Sequence, residues 1–359
     1  MRRTLTALIA LAILLGALGA RSRGLSARPA DPARTLDVYF IDVEGGQATL
    51  FRSPSGESML VDTGWPGFNG RDSDRIVTAA ELAGVKRIDY LVITHYHDDH
   101  VGGVPQLAAK IPIRNFVDHG SEDVENNSHA QELFRAYDRI AAKGNRIVAK
   151  PGEKIPIGGI SVKVLTAAGN EISEPLAGAG QPNPLCAGTP RREVDNGENA
   201  QSVGMLITYG KFRMIDLGDL TWNKELDLVC PNNKLGTVDV YLSTHHGMDL
   251  SGPAAIVHAL APRVAVMNNG AKKGGSPEAW QAIHSSPGLQ GFWQLHYAVD
   301  GGPENNVAAE FIANQGDTDG KWIKLSANPD GTFTMVNSRN GRSERYQRTV
   351  ESSQSKVKS

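Results

Sequence analysis

Residues 89–94, DYLVIT, read as a buried strand that runs without a break into His95, Tyr96, His97, Asp98, Asp99 and His100. Packing alone does not account for three imidazoles and two carboxylates at a strand end, because a buried polar group without a partner costs several kcal/mol. A metal ion removes that cost. Imidazole nitrogen and carboxylate oxygen are donors suited to zinc, and also to manganese or iron. Extended backbone sends His95 and His97 to one side, while Asp99 and His100, on the turn that follows, can face a second ion. Gly102 and Gly103 are expected to let the chain turn into the next helix.

Around this segment, short β-type runs alternate with helical ones. LDVYFID, ATLFR and SMLVD form an opening hairpin and third strand, expected at a sheet edge. A helix over 72–82 follows, with Ile76, Ala79, Ala80 and Leu82 on its apolar face. The alternation continues through helices near Leu107 and over 129–142, and strands NFVDH, near Ile147 and over 160–165. After a Gly-, Pro- and Asn-rich stretch over 168–199 it resumes in SVGMLITYG, FRMIDLG, VDVYLST, RVAVMNN and FWQLHYA. Helices are expected between these runs and at Ala308, with WIKLSAN and TFTMVNS as a closing hairpin. The aperiodic stretch reads as a loop insertion beside the site, since long loops inside a domain are usually functional or disordered. Two successive halves of mixed strands and helices predict an α/β arrangement of two sheets between helical layers, a four-layer αββα sandwich spanning 35–346.

The chain has 359 residues and a formal net charge of −2, from 37 basic and 39 acidic residues, so no overall field attracts a polyanion. A small-molecule or ester substrate is expected, and nucleic acid is not favoured. Arg2 and Arg3 precede an uncharged apolar run over 5–20, which predicts a signal peptide over 1–19, a linker over 20–34 and export to the periplasm or medium, with no membrane span in the mature chain. Residues 347–359 read as a frayed polar tail. Cys186 and Cys230 are the only cysteines, and sequence leaves open whether they form one disulfide or stay free.

The pattern HxHxDH at 95–100 resembles the signature of the metallo-β-lactamase superfamily. Val61-Asp62-Thr63-Gly64 resembles its first motif, Gly218-Asp219 the motif of the bridging carboxylate, and Ser243-Thr244-His245-His246-Gly247 the last ligand motif. FIDVEGGQATL, NAQSVGMLITYG, LGDL and STHHG are further similar to the hydrolase domain of ComEC competence proteins. The resemblance implies one or two metal ions, zinc first, held by His95, His97, Asp99, His100, Asp219, His245 and His246, with Asp62 orienting the histidine loop from behind. It also implies a metal-activated water whose pKa falls from about 15.7 towards about 7. Asp99 or Asp219 would hold that hydroxide, and a histidine would protonate the leaving group.

Two departures matter. Gln47 stands where the competence proteins carry aspartate. No histidine lies between Ala130 and Asp219, where many dinuclear members have one, so the first ion is left with His95, His97 and Asp219 plus water, or recruits Asn199 or Gln201. His119 reads as a ligand, an acid or a satisfied surface residue. Spacing does not choose between His245 and His246; one is expected to ligate and the other to meet the substrate. His129, His258, His284 and His296 read as structural, and Lys272 and Lys273 as a solvated turn or an anion-binding rim. The expected function is an exported metal-dependent hydrolase acting on a phosphodiester or related ester. A β-lactamase or lactonase, and a non-catalytic metal- or ligand-binding module, are the competing readings.

Overall fold

The computed structural model describes residues 35–121, 124–316 and 320–347. The expected leader over 1–19, the linker over 20–34 and, from 348 on, the polar tail lie outside the described residues.

The first half contributes β1 (Leu36–Phe40), β2 (Thr49–Arg52), β3 (Ser58–Val61), α1 (Arg71–Leu82), β4 (Ile88–Val92), α2 (Asp98–Val101), α3 (Val104–Ala108), β5 (Ile113–Asp118), α4 (Ser128–Ala141) and β6 (Asn145–Val148). The second contributes β7 (Lys154–Ile155), β8 (Ser161–Ala167), β9 (Asn170–Glu171), β10 (Gln181–Pro182), β11 (Gly204–Tyr209), β12 (Phe212–Asp216), α5 (Trp222–Val229), β13 (Asn232–Asn233) and β14 (Val240–Leu242). It continues with α6 (Ala254–Leu260), β15 (Val264–Met267), α7 (Pro277–His284), β16 (Gly291–His296) and β17 (Ile312–Asn314). β18 (Ile323–Ala327), β19 (Phe333–Asn337) and β20 (Ser343–Tyr346) close the chain.

Among the described residues these strands form two large sheets, ordered β20-β19-β18-β1-β2-β3-β4-β5-β6 and β17-β16-β15-β14-β12-β11-β8-β7, with β9 beside β8, while β10 and β13 pair apart from both. Each sheet begins as an antiparallel meander and turns parallel, at β3 in one and β12 in the other. That repeat is the shared rhythm of the two halves. The sheets face each other across one core: Val38, Phe40, Phe51 and Met59 from the first lie against Met205, Ile207, Met214 and Val266 from the second. The outer face of the first sheet is covered by α1, α3 and α4 through Ile76, Leu107 and Tyr137, and that of the second by α5, α6 and α7 through Leu228, Ile256 and Ile283. The architecture is the expected αββα sandwich.

Several details depart from expectation. The opening hairpin is not an edge, because β18 pairs with the open side of β1 from Leu36↔Ala327 to Phe40↔Ile323, and β19 and β20 extend the sheet further. Near Ala308 there is only a 3-10 turn leading into β17. No helix among the described residues is long and apolar enough to cross a membrane.

Cys186 and Cys230 form a disulfide that ties the 168–199 segment to the end of α5. The bond closes a loop with a sequence separation of 44 residues. Cross-linking such a loop restricts the unfolded chain, so the paired substitution Cys186→Ser and Cys230→Ser is expected to lower unfolding free energy by about 2–4 kcal/mol in urea titrations. An unchanged transition midpoint would contradict this.

Candidate metal centre

The site lies where strand ends of both sheets meet. β3 ends at Asp62, whose backbone is left-handed (φ 60), and this turns its carboxylate under the end of β4. One oxygen accepts from the Thr94 amide at 2.8 Å, and the other from the Thr94 hydroxyl at 2.7 Å while facing His100 Nδ1 at 2.7 Å. The buried carboxylate on Nδ1 fixes the ring so that Nε2 faces the other donors; against the effect of burial, the Asp219, Asp99 and Asp62 carboxylates push the His100 imidazole well up, and a cation bound there would take the place of its Nε2 proton. Gly102 and Gly103 serve a different purpose from the one expected. Their backbones are ordinary helical ones, but a Cβ at Gly103 would come within 2.2 Å of the Thr63 carbonyl, and one at Gly102 within 2.3 Å of Pro66. Close approach of the two motifs, rather than turning, requires glycine.

Asp219 follows β12, and His245 and His246 follow β14. Both histidines adopt left-handed backbone (φ 54 and 57), a conformation costing about 1–3 kcal/mol per non-glycine residue. The bend is held by bonds from the His245 amide to the Gly218 carbonyl at 3.0 Å and from the Gly275 amide to the His246 carbonyl at 3.0 Å. It lets two adjacent side chains, which a strand would send to opposite faces, approach one carboxylate: Asp219 Oδ2 lies 3.4 Å from His245 Nε2 and 3.3 Å from His246 Nε2.

Asp99, His100, Asp219 and His246, all buried, bring four donor atoms together. His100 Nε2 is 3.2 Å from each of Asp99 Oδ2, Asp219 Oδ2 and His246 Nε2, and His246 Nε2 is 3.1 Å from Asp99 Oδ2 and 3.3 Å from Asp219 Oδ2. Donors bound about 2.0–2.1 Å from one zinc ion in a tetrahedral site stand about 3.3 Å apart, and these five separations match that spacing. The donors therefore fit a divalent cation. Burial alone would raise the Asp99 and Asp219 carboxyls, but the adjoining His100 and His246, with Lys273 at Asp99 and His245 at Asp219, hold both well below the usual carboxylate range.

His95 and His97 form a second pair beside this group, with His95 Nε2 3.0 Å from His97 Nδ1. Complete burial, reinforced by the charges of His100 and His97, pushes the His95 imidazole well down, so it stays neutral with an available lone pair. His245 is set apart: Nδ1 meets the Ser251 hydroxyl at 3.3 Å, and the ring opens on a cleft lined by Asn199, Thr221, Trp222 and Leu250. The structure thus puts His246 among the four donors and His245 on the cleft. His119 is a correction. Its Nε2 is engaged by Glu198 Oε2 at 3.1 Å and its ring packs on Tyr96, on the face of the chain opposite to His95 and His97, so it is neither a ligand nor a leaving-group acid here.

Three participants were not anticipated in these roles. Lys273 is no solvated turn, because its ammonium touches Asp99 Oδ2 and lies 4.9 Å from the centre of the Trp65 ring. Glu198, from the loop insertion, accepts from the Tyr96 amide at 3.0 Å and the Glu125 amide at 2.8 Å, pinning the histidine segment; a lone acid in a Gly-rich stretch carries no signal of this. Glu225 is buried in α5 and accepts from the Gly252 amide at 2.5 Å and from Thr244, supporting the histidine bend. Gln47 donates to both oxygens of Asp216 at 3.1 and 2.9 Å, where a second carboxylate would be repelled. His129 makes an exposed pair with Asp98 at 2.6 Å, and His296 lies 2.6 Å from Asp42 in a group that Arg75 also neutralises.

Residues 41–171 match the family model described as the metallo-beta-lactamase superfamily. This segment is a metallo-β-lactamase superfamily domain. The superfamily likeness extends to the competence protein ComA of Neisseria gonorrhoeae, 24% identical over 278 residues, which are 73% of this chain and 33% of that protein. A hydroxyacylglutathione hydrolase of Acidiphilium cryptum is 30% identical over 101 residues, 28% of this chain and 34% of that one. The chain thus spans about a third of the length of these two relatives. A metal-dependent hydrolase of Cupriavidus necator is 27% identical over 75% of this chain and 88% of its own. Among solved structures, CmlA, a diiron beta-hydroxylase from Streptomyces venezuelae, aligns with a TM-score of 0.39 at 18% identity, over 70% of this chain and 47% of that one.

Burial lifts the Glu225 carboxyl from 4.5 to about 8. Between those values the native protein keeps a proton that the unfolded chain releases, so stability present below pH 4.5 is lost as pH rises through about 8, by up to about 1.4 kcal/mol per pH unit. Glu225→Gln is expected to flatten that slope in urea unfolding of the chelator-treated protein from pH 5 to 8.5. Parallel profiles for parent and variant would contradict the assignment.

Proposed function

We propose that this protein is an exported metal-dependent hydrolase acting on a phosphodiester or a related ester. The observation that carries the reading is the close-set group of Asp99, His100, Asp219 and His246 donors, with two further imidazoles beside it and a lysine ammonium on its rim. Zinc fits this nitrogen and oxygen set, with manganese or iron as alternatives. When bound, the ion supplies a water acidic enough to ionise near neutral pH and a positive charge on the oxygen under attack.

The chain's own residues supply the rest. Asp99 and Asp219, kept ionised by their histidine neighbours, orient the nucleophile through hydrogen bonds. His245, steadied by Ser251 and facing the cleft, is placed to pass a proton to a leaving group, and burial keeps its pKa low enough for it to accept one first. Lys273, held between Asp99 and the Trp65 ring, offers a cation to a non-bridging oxygen, which supports an anionic ester over a neutral lactone. The basic residues and apolar run at the start of the chain support export.

Metal-loaded protein assayed on bis-p-nitrophenyl phosphate, single-stranded DNA, a lactone and nitrocefin is expected to turn over the first. Asp219→Ala should lose bound metal and at least about a hundredfold in rate, and Lys273→Met about ten- to a hundredfold on the phosphodiester with little change on a lactone. Turnover of nitrocefin or the lactone alone would replace the phosphodiester reading with a β-lactamase or lactonase. Metal-dependent stabilisation without any hydrolysis would leave a binding module.

A further inference from the structure

The pair His95 and His97 lacks a third imidazole. All ten histidines of the chain are accounted for: His100 and His246 belong to the four-donor group, His245 to the cleft, His119 to Glu198, and His129, His258, His284 and His296 to other elements. What is bonded to the strand end on either side of His95 is the segment that carries the turn Glu198–Gln201. It is tied down on both sides of that histidine, by Glu198 Oε2 accepting from the Tyr96 amide at 3.0 Å and by the Val203 amide donating to the Thr94 carbonyl at 2.9 Å. Glu198 reaches the Tyr96 and His119 side of the strand. Asn199, the next residue, lines the cleft with His245.

Two oxygens here have no hydrogen-bond partner although both are buried: Asn199 Oδ1 and Asp219 Oδ1. Asp219 uses its other oxygen for His100, His245 and His246. Both residues flank His245, Asn199 in the shared cleft and Asp219 through its other oxygen at 3.4 Å, and buried acceptors left without a donor are what a cation satisfies. Gln201 Oε1 is also unpaired, but it sits over the β8–β9 turn, 3.4 Å from where a Cβ on Gly169 would be, and shares no cleft with His245.

We infer that Asn199 completes a first cation position with His95, His97 and Asp219 Oδ1, its amide oxygen standing in for an imidazole, so that the centre holds two divalent ions in unlike donor sets. This rests on the metal-dependent reading above. One position then has two nitrogens and two oxygens of which one is neutral, which weakens zinc there relative to a three-imidazole site and leaves it open to manganese.

The test is zinc binding by the folded full chain, followed by titration and metal analysis, with thermal shift as a second readout. The parent is expected to bind two equivalents, Asp99→Ala to weaken one of them, and Asn199→Ala to weaken the other by at least about tenfold. Because Asn199 Oδ1 has no partner to lose, metal-free Asn199→Ala should melt with the metal-free parent, and only its zinc-dependent shift should shrink. Asn199→Asp and Asn199→His should each restore the second equivalent. Two equivalents bound by Asn199→Ala with parental affinity would overturn the inference, as would a parent that binds only the equivalent lost in Asp99→Ala. A lower melting point of the metal-free variant with zinc uptake intact would assign Asn199 a structural role. A parent that binds no zinc or manganese would instead remove the metal-dependent reading itself.

Discussion

The Asp219 carboxylate is the joint of this molecule. It stands at the end of β12 in the second sheet, and one of its oxygens meets His100 from the end of β4 in the first sheet as well as both histidines after β14. Sheets that face each other across a mainly apolar core are thereby linked at one edge by a polar cluster with more acceptors than donors. Such a cluster is stable only with a cation in it or with protons shared among its imidazoles, and the low-lying carboxyls of Asp99 and Asp219 favour positive charge at this point.

Much of the surrounding structure serves to hold those atoms still. Of the eight non-glycine residues with positive φ among those described, Asp62, His245 and His246 are at the site, and each is braced by buried bonds: Thr94 on Asp62, Gly218 on His245 and Gly275 on His246. Behind them lie carboxylates whose environments differ. Asp216, raised to about 6 by burial despite the Gly218 amide and Gln47, steadies the turn into Asp219. Glu225, raised further, steadies the histidine bend. Glu198 is held down by His119 and two amides and steadies the strand end. Left-handed backbone and buried charge gathered at these strand ends are what a functional centre requires of its scaffold.

The sandwich and the principal donors were legible in the sequence because they carry strong local signals. Alternating apolar residues mark the strands, and the 95–100 segment is too rich in donors for a packed strand end. Edge identity was not legible, because β18 pairs with β1 from nearly the other end of the chain, carrying β19 and β20 beyond it, and leaves no mark in the sequence near Leu36. The separate stations of His245 and His246 depend on two left-handed residues that side-chain type does not predict. His119 looked available because its partner, Glu198, comes from 79 residues away in a stretch without periodicity. Lys273 was obscured for the same reason: its partner Asp99 is 174 residues distant.

The claim on which the account rests is that Asp99, His100, Asp219 and His246 surround a cation. Anomalous diffraction from crystals equilibrated with zinc, recorded on both sides of the zinc absorption edge, tests it most directly. The account predicts a peak at bonding distance, about 2.0–2.2 Å, from all four side chains. Density for zinc only elsewhere on the protein, with these four side chains unmoved and hydrogen-bonded to one another, would contradict it.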